Sequence, residues 1–200
     1  MSSILEELMG QLQGGGLSAL SQQLGADEGQ VSKAAMGALP ALLGGLANNS
    51  ASSSGAGALA QALDRDHDGS VLDDVAGFLG GGGAQDGGAI VDHVLGGKKS
   101  SVESALGGAS GLDGAAVTKM LAMLAPLVMG ALGKQQRQQG LDASGLGSLL
   151  GQERETAYRK APEAMGMLGQ LLDRDNDGSM VDDITEMGSD LLSGFLSGKR

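Results

Sequence analysis

Cysteine and tryptophan are absent from this chain of 200 residues, and its aromatic residues are Phe78, Phe195 and Tyr158. Without cysteine there is no disulfide framework, zinc–thiolate site or thiol nucleophile. With so few aromatics the core must be built from Leu, Ala, Val and Met, which bury less area each. Modest stability in the absence of a ligand or partner is therefore expected. Basic residues are scarce too: 13 Lys and Arg against 24 Asp and Glu leave a formal charge of −11. Phosphate binding needs clustered cations, so nucleic acid is excluded as a partner. One basic cluster, Lys134-Gln135-Gln136-Arg137-Gln138-Gln139, reads as a solvated loop or a helix end. The opening Met1-Ser2-Ser3-Ile4-Leu5-Glu6-Glu7-Leu8 lacks a positive region followed by an apolar one, so no secretory signal and a cytoplasmic location are expected. The apolar runs Ala34–Ala47 and Met120–Gly133, about 14 residues each, fall short of the ~20 that cross a bilayer. Both are expected to be buried core helices.

No stretch alternates β-branched or aromatic residues with polar ones, so the expected fold is all-α: a compact multi-helix bundle with glycine-rich turns and no β-sheet. Ile4, Leu5, Leu8, Met9 and Leu12 fall at helical spacing, and Gly14-Gly15-Gly16 stops that helix. Leu17, Leu20 and Leu24 make a second helix ended by Gly25, and Asp27 caps a third. The third contains Pro40, which removes a backbone hydrogen bond and is expected to bend or break it. Asn48 to Gly57 and Gly80 to Gly88 read as flexible connections.

The chain repeats itself. Val31-Ser32-Lys33, Pro40, Gly44 and Leu46 recur as Val117-Thr118-Lys119, Pro126, Gly130 and Leu132 at a constant offset of 86. Leu59, Gln61 and Leu63 recur as Leu168, Gln170 and Leu172 at an offset of 109. This pattern predicts one domain, 1–200, made of two related halves (about 1–85 and 86–200) with an insertion near 134–165. Gly37, Ala41 and Gly45 are expected to let the two proline helices cross closely.

Each half holds an acidic segment of eleven residues: Asp64-Arg65-Asp66-His67-Asp68-Gly69-Ser70-Val71-Leu72-Asp73-Asp74 and Asp173-Arg174-Asp175-Asn176-Asp177-Gly178-Ser179-Met180-Val181-Asp182-Asp183. Carboxylates at alternate positions followed by glycine match the start of an EF-hand-type loop, which wraps oxygens around a hard cation. The expected ligands are Asp64, Asp66, Asp68 and the Ser70 carbonyl, with Asp173, Asp175, Asp177 and the Ser179 carbonyl in the second copy. Position twelve is Val75 or Ile184, so Asp73, Asp74, Asp182 and Asp183 are the candidates to close each loop. Calcium is the expected cofactor, with magnesium as the alternative. The competing reading is a capping box, in which Ser70 and Ser179 cap helices and the acids favour their N-termini. That reading leaves the repulsion among three neighbouring carboxylates to be answered. Arg65 and Arg174 offer partial neutralisation but are expected to point away.

Catalytic groups are not assembled. His67 sits at an outward loop position and His93 in a polar helix, and neither a nucleophile elbow nor a phosphate-binding loop occurs. The glycine-rich opening Leu12-Gln13-Gly14-Gly15, the Val31–Leu46 helix with Pro40, and Leu63-Asp64-Arg65-Asp66 to Asp68-Gly69-Ser70 resemble the YidB-like bacterial proteins, also called domain of unknown function 937. That resemblance implies a compact all-helical bundle and no activity. The expected role is a non-enzymatic structural or interaction module with two cation loops, acting through self-association or an unidentified protein partner. The alternative is an envelope- or membrane-associated protein whose acidic loops only cap helices.

Overall fold

A computed structural model describes residues 3–81 and 87–160. These residues form α1 (Ile4–Gln11), α2 (Leu17–Leu24), α3 (Glu28–Asn49), α4 (Ser53–Asp66), α5 (Val75–Gly80), α6 (Gly87–Leu95), α7 (Lys99–Ser110), α8 (Gly114–Gln139) and α9 (Ala143–Lys160). Among the described residues no strand occurs, as the absent period-two pattern requires. The long helices α3 and α8 form the centre, and the other helices pack around them. Buried apolar residues from α1 through α9 join in one hydrophobic cluster.

Local chemistry sets most of the boundaries. Ser3 opens α1 through a capping box with Glu6. The chain then bends at Gly14 and Gly15, whose φ of 122° is open to glycine but strained for other residues, and re-enters helix at Leu17. Gly25 ends α2 in the left-handed conformation, and the Asp27 carboxylate accepts from the Gly29 N–H at the start of α3. The same succession returns one offset later. Gly111 is left-handed after α7, Asp113 caps α8, and Pro126 occupies the place of Pro40.

Neither proline breaks its helix. Every residue from Gly37 to Leu46 is buried, including Leu39, Leu42, Leu43 and Leu46. A proline inside a helix costs about 3 kcal/mol, whereas each buried leucine contributes roughly 1.5–3 kcal/mol. Burial therefore outweighs the lost hydrogen bond. Similarly, Ser53 to Gly57, expected as loop, are helical because the Ser52 hydroxyl caps α4 by accepting from the Gly55 N–H. A Cβ on Gly55 would overlap the Asn49 carbonyl, so glycine is needed where the first turn of α4 meets the end of α3.

The glycines of α3 serve a different neighbour from the one expected. A Cβ on Gly37 would lie 2.7 Å from Leu106 of α7, and one on Gly45 would lie 2.8 Å from the Val94 carbonyl of α6. α3 touches α8 as well, but these notches admit α7 and α6. The second apolar run becomes the 26-residue α8, with Lys134 to Gln139 as its helical end. Among the described residues it is the one helix long and apolar enough to cross a membrane, and 83% of that stretch is buried inside the bundle.

Candidate functional site

The described acidic segment lies where α4 ends and α5 begins, against the C-terminal half of α8. α4 runs on through Asp66, so Asp64 and Asp66 occupy one helical turn. Residues two apart on a helix point about 200° apart, and these two carboxylates diverge. The chain then turns at Gly69 (φ 86°) into a short 3-10 turn, Ser70–Leu72.

Two glycines on α8 create the seat for this turn. A Cβ on Gly133 would overlap the His67 carbonyl oxygen, and one on Gly130 would fall 2.5 Å from Val71 Cγ1. From the other side, a Cβ on Gly69 would fall 2.9 Å from Lys134 Cβ, so Gly69 answers both a left-handed turn and a close approach. Arg137 Nη2 donates to the His67 carbonyl at 2.7 Å. Gln136 Nε2 donates to Asp64 Oδ1 at 3.2 Å. The Gln136 side chain is buried, and among the described residues its Oε1 has no hydrogen-bond partner. Swapping the amide would turn that oxygen onto the Asp64 carboxylate, so the contact with Asp64 selects the orientation.

Each remaining acid has its own local task. Arg65 Nε donates to Asp66 Oδ2 at 2.9 Å, so Arg65 turns toward its neighbour rather than away. Asp68 Oδ1 accepts from the Ser70 hydroxyl at 2.5 Å and from the Ser70 N–H at 2.9 Å. Asp74 Oδ1 accepts from the Gly77 N–H at 2.8 Å and caps α5. The expected capping serine, Ser70, opens the 3-10 turn instead and makes no side-chain cap. Asp73 is exposed and donates its N–H to the Ser70 carbonyl at 3.0 Å.

Asp68 and Ser70 come together, whereas Asp64, Asp66 and Asp74 turn to separate partners. Among the described residues no three His, Cys, Asp or Glu side chains gather as a metal site requires. Asp64 and Asp66 lie on the last turn of α4, whereas an EF-hand-type loop draws its early ligands together on loop backbone. Asp173, Asp175, Asp177, Ser179, Asp182 and Asp183 lie outside the described residues.

The hydrogen bonds from the Ser70 hydroxyl and N–H hold the Asp68 carboxyl below its usual value. A depressed carboxylate favours the folded state above its unfolded pKa of about 3.8, and that contribution is lost as pH falls through the lower folded value. Ser70→Ala is expected to raise the Asp68 pKa toward the ordinary range. A carboxyl-carbon NMR titration reads this directly, and an unmoved Asp68 resonance would refute the role given to the hydroxyl.

One polar anchor lay outside the motifs. Glu153 of α9 is buried, and its Oε2 accepts from the Leu5 N–H at 3.3 Å, in the first turn of α1. Lys134 Nζ of α8 pairs with Glu7 Oε1 of α1 at 2.8 Å. Leu146, Leu150, Glu153 and Ala157 are all buried at helical spacing, and that stripe with a carboxylate inside it was the available signal.

A family model described as a bacterial protein of unknown function (DUF937) matches residues 6–135, most of the chain, including the loop at 64–74 and both proline helices. No curated protein and no solved structure matches the chain.

Proposed function

Because this chain belongs to the bacterial DUF937 family, whose function is unknown, its role must be argued from the fold, and we propose a non-enzymatic helical interaction module. Within it the first acidic segment is a structural clasp that fastens α4 and α5 to α8. The observation that carries this reading is the seating of the His67–Val71 backbone on Gly130 and Gly133. Asp64 and the His67 carbonyl are then tied down by Gln136 and Arg137. Side chains committed to holding a fold are poor candidates for general acids or nucleophiles, which must meet a substrate. The accompanying placement is cytoplasmic, and the charge of −11 supports a module without a nucleic-acid partner.

A structural calcium ion is the second reading, favoured by the match of the two segments in all three early aspartates and the glycine. At the first loop it requires the last turn of α4 to unwind and Asp64 to leave Gln136. The two readings separate in a thermal melt of metal-stripped protein titrated with calcium and then magnesium, beside an Asp66→Ala/Asp175→Ala variant. The clasp predicts no rise in Tm at millimolar cation. A rise with the wild-type chain that vanishes in the variant would restore the metal reading, since binding only the folded state adds to stability.

A further inference from the structure

The two sets of helices that repeat at an offset of 86 do not form separate lobes. Each set builds its core with the other. The notches Gly37 and Gly45 of α3 receive Leu106 and Val94 from the later set, and Gly130 and Gly133 of α8 receive Val71 and His67 from the earlier one. The polar ties follow the same crossed pattern. Lys119 of α8 donates to the Gln23 carbonyl near the end of α2 at 2.5 Å, while Gln30 of α3 donates to the Gly111 carbonyl after α7 at 3.1 Å. Asn49 at the end of α3 donates to the His93 and Val94 carbonyls of α6, and Lys134 of α8 reaches Glu7 of α1. Each long helix thus secures elements belonging to the opposite half. The one covalent link between the halves is the stretch from Gly81 to Gly87, Gly-Gly-Gly-Ala-Gln-Asp-Gly in sequence.

We propose that the face each half presents to the other is a self-recognition surface, and that the partner it fits is the complementary half of a second copy of this chain. The inference rests on the one-domain, duplicated organisation and is independent of whether the acidic loops bind a cation. An exchanged dimer would reproduce every crossed contact named above with the halves drawn from two chains. Closed and exchanged forms then differ in the linker and in the entropy of association, which places the choice between them on linker length and concentration.

The test is a graded deletion in the full-length chain, removing Ala84–Asp86 and then Gly82–Asp86. Light scattering after size exclusion reports mass, and far-UV circular dichroism reports helix content. The expected result is a two-fold rise in particle mass over the intact chain, at native helix content, growing from the shorter to the longer deletion. Mixing differently isotope-labelled samples during refolding should yield mixed dimers by native mass spectrometry. Restoring the deleted length with glycine and serine should return the original mass. Should the longer deletion fail to fold, the shorter one carries the same readout. A folded deletion variant that keeps the mass of the intact chain overturns the proposal.

Discussion

Gly133→Ala is expected to destabilise the protein by about 2–3 kcal/mol, the range of a core position forced to accept a group without room for it. The sign is what makes the experiment informative. In an exposed helix the same substitution stabilises by roughly 0.5–1 kcal/mol, because alanine loses less backbone entropy. At Gly133 the new methyl would overlap the His67 carbonyl oxygen, which is backbone and cannot rotate aside. The clasp must lift, and the bond from Arg137 to that carbonyl goes with it. Gly57 of α4, with open space around its Cβ position, supplies the control and is expected to gain stability. Urea unfolding of the two variants, with hydrogen exchange at Leu72 and Asp73, decides the matter. Equal stabilisation at both positions would mean that the loop does not rest on α8.

The second large effect is expected from Leu43→Ala, at about 3 kcal/mol, within the range for truncating a buried leucine. Leu43 is fully buried on α3, and the neighbouring positions include Pro40, Ala41, Gly44 and Gly45. Truncation removes buried apolar atoms and leaves a cavity, and both terms add to the loss. For a chain of this size such a loss lowers Tm by roughly 6–12 °C. Leu43→Met, which conserves volume, should cost under about 1.5 kcal/mol. If Leu43→Ala lost less than about 1 kcal/mol, the argument that an aromatic-poor core depends on each leucine would be wrong.

The helices were legible in proportion to how local their causes are. Gly25 and Asp27 act within a few residues of themselves, and the end of α2 and the start of α3 fell where the sequence placed them. The course of α3 through Pro40 was not legible, because what outweighs the proline is burial on all sides by helices distant in sequence. Ser53 to Gly57 looked like linker by composition, yet glycine there is what lets α4 begin hard against the Asn49 carbonyl at the end of α3. The same holds for Gly37 and Gly45. A glycine announces that something comes close without saying what, and the visitors are α7 and α6.

For the acidic segment, the sequence located a site and left its chemistry open. The spacing of Asp64, Asp66 and Asp68 presupposes an extended loop. In the fold Asp64 meets Gln136 and Asp66 meets Arg65, and only Arg65 is near in sequence. Gly69 shows the ambiguity best, since a glycine at that position suits both a cation loop and a turn lying against Lys134.

The bond from Leu5 to Glu153 spans 148 residues. At ribosomal rates of about 5–20 residues per second, the first helix waits on the order of ten seconds before its carboxylate partner has been made. Glu7 meets Lys134 almost as late. α1 is thus made long before α8 and α9, which fasten it. The full burial of its apolar face, Ile4, Leu5 and Leu8, therefore waits for helices made much later.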